Sequence, residues 1–178
     1  MKGIINQLMA VLAICFVIIG TLFFVKLCTP SDIFIQDICE QYNISCKIER
    51  IEPNGLPNAY ANLDNNVIYI VGDIEKRLTK GEMESILLHE IGHIVLKHKE
   101  RYQQQIKLNP QSSCAIRRAF EYEADMFSFA ISSKSSRPTL LDNALDELVP
   151  TAFQDMESCT HPSIKSRIEL LKRLEGSK

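Results

Sequence analysis

The sequence predicts an α+β protein, mostly helical with a small antiparallel-containing sheet, preceded by one N-terminal transmembrane helix. Three observations carry that expectation. The N-terminus holds an unbroken apolar run, short alternating segments cluster between residues 46 and 71, and helical periodicity sets in from Met83 onward.

From Ile4 to Val25 the only strongly polar residues are Asn6 and Gln7, with Lys2 before the run and Lys26 after it. Twenty-two residues at helical rise reach about 33 Å, enough to cross the hydrocarbon core of a bilayer. A cleaved signal peptide is the competing reading. The run exceeds an ordinary signal-peptide core, however, and no A-x-A-like site follows it before Pro30. The expected division is an anchor with its flank over 1–30 and a folded domain over 31–178. Lys2 and the amino terminus against Lys26 favour, by a small margin, a single-pass protein with its domain on the non-cytoplasmic side.

Ser31 and Asp32 open a helical stretch with apolar residues at Ile33, Phe34, Ile38 and Cys39. Cys46 to Ile51 alternates as a strand does, and Pro53, Asn54, Gly55 and Pro57 mark a turn. Asn58 to Leu63 and Val67 to Val71 then read as two antiparallel strands around Asp64-Asn65-Asn66. A brief helix follows Gly72 or Asp73. Thr79 and Glu82 form a T-x-x-E capping box ahead of Met83, Ile86, Leu87, Ile91, Ile94 and Val95, the buried side of a longer helix. Gly92 within it costs about 1 kcal/mol relative to alanine, which implies that a backbone or a substrate passes close by. Tyr102 to Ser113 is Gln-rich without clear periodicity and reads as a long connection, a candidate lid or mobile loop over the cleft. Cys114 to Ile131 is helical, Ser132 to Pro138 a break, Leu140 to Leu148 a short helix and Ser163 to Leu174 a final one.

Composition excludes one class. A net charge of −2 leaves no basic surface for nucleic acid, and the cluster Lys97, Lys99 and Arg101 is explained by a helix C-terminus. Cys39, Cys46, Cys114 and Cys159 can make two disulfides in an oxidising compartment, or stay as buried thiols in a reducing one. In the first case Cys114 would pair with Cys159, pinning the His161 loop to the helix of Glu121, and Cys39 with Cys46.

The chemistry resides in His89-Glu90-Ile91-Gly92-His93. Two histidines four apart on a helix project from one face, so both rings can reach one tetrahedral metal, with Glu90 beside them as general base. A catalytic zinc takes three protein ligands and keeps one open position, so a third ligand is needed. Glu121 fills that role. Asp125 lies one turn further on the same face, where it can accept the second ring N–H of a ligand histidine, whereas Glu123 points away from both. His98, five beyond His93, reads as capping or packing. His161, just before Pro162 at a helix start, reads from position alone as a structural loop histidine that could donate to an oxyanion.

In this order, Pro57-Asn58-Ala59-Tyr60-Ala61, the strand Asn66 to Val71, HEIGH, Glu121-Tyr122-Glu123-Ala124-Asp125, His161-Pro162 and Arg167-Ile168 resemble one family. It is the gluzincin metallopeptidases, which include the HtpX-like heat-shock proteases, the CAAX prenyl proteases and the mitochondrial Oma-type proteases. The resemblance spans roughly Ile51 to Leu174 and implies a zincin-like domain binding one zinc ion. His89, His93 and Glu121 match the metal ligands, and Glu90 the base. Asp125 matches a supporting carboxylate, while His161 and Arg167 match residues near the transition state. A salt bridge to Asp125 would explain Arg167 equally well. Asn58, Ala59, Tyr60 and Ala61 match an edge strand on which a polypeptide substrate pairs. Multi-span relatives enclose their sites, whereas this chain has one expected span. The expectation is a membrane-anchored zinc endopeptidase, with a role in protein quality control suggested by the family. The alternatives are a zincin-fold binding or regulatory protein that cleaves nothing, and a structural zinc protein, which would call for a closed, cysteine-rich site.

Overall fold

The computed structural model describes residues 29–52, 57–134, 140–149 and 153–176. The chain divides into two compact units, residues 1–34 and 35–178. No helix among the described residues is long and apolar enough to cross a membrane, and the anchor expected over Ile4–Val25 lies outside them.

Helix α1 covers Pro30–Gln41. Its first turn is capped by Thr29, whose hydroxyl accepts from the Asp32 amide at 3.2 Å while the Asp32 carboxylate accepts from the Thr29 amide at 2.8 Å. Ser31 and Asp32 therefore lie inside the helix rather than capping it.

Strands β1 (Lys47–Ile51), β2 (Asn58–Asn62) and β3 (Val67–Val71) form a sheet in the order β1-β3-β2. β2 and β3 pair antiparallel, with Tyr60 opposite Tyr69, while β1 pairs parallel to β3, with Glu49 opposite Tyr69. The sheet is thus mixed. The apolar β3, with Val67, Ile68 and Ile70 buried, takes the centre, as its composition requires. β2 is left at one edge.

After the short α2 (Ile74–Arg77), helix α3 runs over Lys80–Val95. Its capping box is complete: Glu82 N–H donates to the Thr79 hydroxyl, and Thr79 N–H to the Glu82 carboxylate. Met83, Leu87, Leu88 and Ile91 are buried along it, each contributing roughly 1.5–3 kcal/mol by leaving water. Helix α5 (Ser113–Lys134) packs along α3, and Gly92 makes the approach possible. A Cβ at residue 92 would meet the Ala124 Cα at 3.2 Å and the Phe127 Cβ at 3.3 Å. The close neighbour expected at Gly92 is therefore protein backbone. Ser128 in α5 donates to the Ser85 carbonyl at 2.9 Å, and the Ser85 hydroxyl accepts from the Leu140 amide at 3.2 Å.

The segment expected as a lid is mostly helix. Lys97 adopts φ 54°, ψ 46° and turns the chain, α4 runs over His98–Leu108, and a 3-10 turn fills Pro110–Ser112. Gln, Lys, Glu and Arg are good helix formers without an apolar stripe, so an exposed helix of this composition carries no periodic signal. For the same reason Lys99 and Arg101 lie in the first turn of α4, not at a helix C-terminus. Instead of a helix dipole they meet Asp64 and Glu123. Helices α6 (Leu141–Leu148) and α7 (Ile164–Glu175) complete the fold, with Leu141, Leu145 and Leu171 buried. Disulfides join Cys39 to Cys46 and Cys114 to Cys159, with Cα separations of 6.2 and 4.4 Å.

Candidate metal centre

Helix α3 presents His89 and His93 one turn apart, and α5, held close by Gly92, presents Glu121 to both. His89 Nε2 and His93 Nε2 stand 3.2 Å apart, with Glu121 Oε2 at 3.4 Å from the first and Oε1 at 3.6 Å from the second. Ligand atoms of all three residues lie within 4.8 Å of one another, a group that could hold a metal ion.

The donor set fits zinc on two counts. Tetrahedral bonds of 2.0–2.1 Å put two imidazole nitrogens about 3.3 Å apart, close to the separation here. The second count is charge. Asp125 Oδ1 lies 2.8 Å from His89 Nδ1, so that nitrogen carries its proton and His89 Nε2 offers a lone pair toward His93 Nε2 and Glu121. Positive charge is needed between them. Burial opposes it at His89, but hydrogen bonds to Asp125 and Glu121 prevail and raise His89 to about 9, while Glu121 is lowered to about 2 despite its burial. A cation on Nε2 would meet the same demand without a proton. His93, by contrast, is lowered by burial and by the His89 charge to about 3 and is neutral.

Asp125 is fully buried and does two things at once. Besides His89, it accepts from Arg167 Nε at 2.9 Å and Nη2 at 2.6 Å, and Arg167 Nη1 lies 3.6 Å from Glu121 Oε2. Arg167 thus makes the salt bridge to Asp125 that was one alternative read from the sequence, and it lies beside the candidate ligand Glu121.

Glu90 is held by the edge strand: the Ala61 N–H donates to Glu90 Oε2 at 2.8 Å. Burial, reinforced by the Glu121 charge, pushes the Glu90 carboxyl up to about 7. A cleft of about 390 Å³ opens between Asn58 and Ala59 on one side and Leu145, Leu148 and Ile164 on the other, with His89, Glu90 and Arg167 at its floor. Tyr60 is 43% exposed on the outer part of β2.

His161 comes from a tight loop. Its amide donates to the Ser158 hydroxyl at 2.9 Å, its carbonyl accepts from the Ser158 amide at 2.9 Å, and Cys159 anchors that loop to the start of α5. The side chain is 58% exposed, with Nε2 3.7 Å from Glu121 Oε1 and Nδ1 2.8 Å from the Thr160 hydroxyl. The ring lines the cleft together with Asn58 and Ala59 of β2.

The sequence reads His98 as capping or packing and Glu123 as pointing away from Glu121 and Asp125. The structure packs His98 on Phe120 and turns Glu123 to His98 and Arg101, and the contact of His98 with His93 is what sequence reasoning did not foresee. His98 is 2% exposed, its Nδ1 lies 2.8 Å from His93 Nδ1, and its Nε2 lies 3.4 Å from Glu123 Oε2. A spacing of five does not place two side chains on one helical face; the turn at Lys97 does, and it has no sequence signal apart from the helix break itself.

No curated protein and no solved structure matches the chain. The model of Peptidase family M48 matches residues 36–116, which contain the sheet, His89, Glu90 and His93 and stop short of Glu121, Asp125, His161 and Arg167. The unmatched residues supply the carboxylate that a metallopeptidase pair of histidines requires, at bonding reach of both rings. By that match over residues 36–116, and with a His-His-Glu group that could hold a metal, the chain is similar to peptidase family M48.

Proposed function

We propose that the protein is a membrane-anchored zinc endopeptidase, with His89, His93 and Glu121 as ligands and Glu90 as general base. The observation that carries this reading is the Glu90 carboxylate, half-buried beside the ligand group and bonded to the edge strand β2. Bound zinc would polarise the scissile carbonyl and acidify the attacking water. Glu90, raised to about 7, is matched to take that proton and pass it to the leaving amine. Ala59 and Ala61 direct their amides away from β3, toward Asn58 and Glu90, so an extended substrate added along β2 would lie across the catalytic carboxylate. His161, exposed at the cleft with its Nε2 near Glu121, stands where it can donate to the developing oxyanion, and Arg167 orients Asp125.

The apolar run Ile4–Val25 supports a single-pass anchor, and the two cystines support a domain facing an oxidising, non-cytoplasmic compartment. Unfolded or misassembled envelope proteins are then the accessible substrates, a role in quality control. The test is cleavage of an unfolded protein by the purified full chain, with and without chelator, alongside Glu90→Gln. Wild type should cleave only with metal, and the variant should retain zinc yet lose cleavage. Cleavage by Glu90→Gln at the wild-type rate refutes the assignment.

A further inference from the structure

We propose that His98 and Glu123 are positioning residues that fix which nitrogen of His93 faces the metal position. The inference rests on the zinc reading above and concerns how the chain prepares one of its ligands.

His93 Nδ1 and His98 Nδ1 are 2.8 Å apart, a separation that needs one hydrogen between them and only one. Either ring can carry it, and the two choices differ at the metal. With the hydrogen on His93 Nδ1, His93 Nε2 is bare and can bind a cation. With it on His98 Nδ1, the neutral His93 keeps its own hydrogen on Nε2 and is blocked.

The far side of His98 decides between them. Its Nε2 is buried without a hydrogen-bond partner and faces Glu123 Oε2 at 3.4 Å. Glu123 is itself held by Arg101, whose Nη1 and Nη2 reach it at 2.5 and 2.9 Å. A fixed carboxylate next to Nε2 favours the tautomer with hydrogen there, which leaves His98 Nδ1 as an acceptor. His93 must then donate from Nδ1. Glu123, one ring removed from the ligand, thereby selects its bare Nε2.

The ring of His98 has little freedom to do otherwise. It stacks on Phe120 with centroids 4.3 Å apart and 5° between planes, and it meets His93 edge-on at 79°. Lys97 in the left-handed region places it there by ending α3 and restarting the chain as α4. His89 is supported directly by Asp125, at 2.8 Å, so each ligand histidine has a carboxylate behind it, one in contact and one through an imidazole.

The test measures zinc affinity of the full chain by competition with a chromophoric chelator, and the absorption spectrum of the cobalt-substituted protein. His98→Phe keeps a ring against Phe120 but offers no acceptor; it should weaken zinc binding about 10- to 100-fold and alter the cobalt bands. His98→Asn, whose amide oxygen can accept from His93, should recover most of that loss. Glu123→Gln leaves the buried rings untouched and should weaken binding less than His98→Phe does. Thermal unfolding without metal separates lost packing from lost ligand support. Wild-type affinity and spectrum in His98→Phe overturn the relay, as does wild-type affinity in Glu123→Gln should His98→Phe fail to fold. A wild-type chain that takes up no zinc overturns the zinc reading instead.

Discussion

Arg167 and Asp125 form a buried two-bond pair, Nε to Oδ2 at 2.9 Å and Nη2 to Oδ1 at 2.6 Å, and the same Oδ1 lies 2.8 Å from the ring of His89. Three helices meet in those contacts: α7 supplies the guanidinium, α5 the carboxylate and α3 the imidazole. A buried pair of this kind adds little stability over an apolar substitute, but removing one partner strands the other charge. Its value here is orientation.

Replacing Arg167 with Met should therefore cost about 3–5 kcal/mol, because the buried Asp125 loses both guanidinium bonds and keeps only the ring of His89. Arg167→Lys, which cannot make both bonds, should fall between it and wild type. Urea unfolding monitored by circular dichroism measures both. A Met variant with an unchanged midpoint would show that the pair is dispensable for folding.

Glu121→Ala should strip the centre of the only carboxylate, among the described residues, within reach of both Nε2 atoms. Glu123 cannot replace it, since it faces His98 and Arg101. Zinc content after dialysis against a weak chelator should drop well below that of wild type. Full retention of zinc would reassign the third ligand.

Gly92→Ala tests the helix contact that brings Glu121 to the histidines. Alanine gains about 1 kcal/mol in helix propensity, but its methyl meets the backbone of Ala124 and the Phe127 Cβ, and overpacking of that kind costs about 1–3 kcal/mol. The expected net effect is destabilisation by about 1 kcal/mol with weaker zinc binding. Chemical denaturation and chelator competition read the two effects, and a stabilised variant would mean that α5 yields easily.

Paired replacement of Cys114 and Cys159 by serine opens a link between residues 45 apart, worth roughly 2–4 kcal/mol through the unfolded chain. Arg118 still holds the loop through Glu157 at 2.7 Å and the Ser158 carbonyl at 3.3 Å. Zinc content should stay as in wild type while cleavage slows, because His161 is on the loop and the ligands are not. Equal loss of zinc and cleavage would contradict that division.

Much of this architecture was legible because it is local. The capping box at Thr79 and Glu82, the apolar side of α3, the β2–β3 hairpin and the four-residue spacings His89–His93 and Glu121–Asp125 all follow from periodicity within one element. What stayed hidden depended on partners distant in sequence or on elements with no apolar face. β1 adds in parallel to β3 across an intervening hairpin strand, a choice no local pattern records. The exposed α4 looked like a loop because its residues form a helix without needing a buried side. His98 was read as an ordinary packed histidine because its contact with His93 arises from a reversal of the chain at Lys97, not from helical geometry.

Under the proposed function, the bond from Ala61 to Glu90 would tie the reading of a substrate to its cleavage through a single peptide group. A polypeptide laid against that edge would be judged mainly on whether its backbone is bare and extended, since main-chain groups are what the strand offers. Folded partners would hide those groups in their own hydrogen bonds. Selectivity of this sort would sort proteins by condition rather than by sequence, and Glu90, as the proposed base, would itself take part in the sorting.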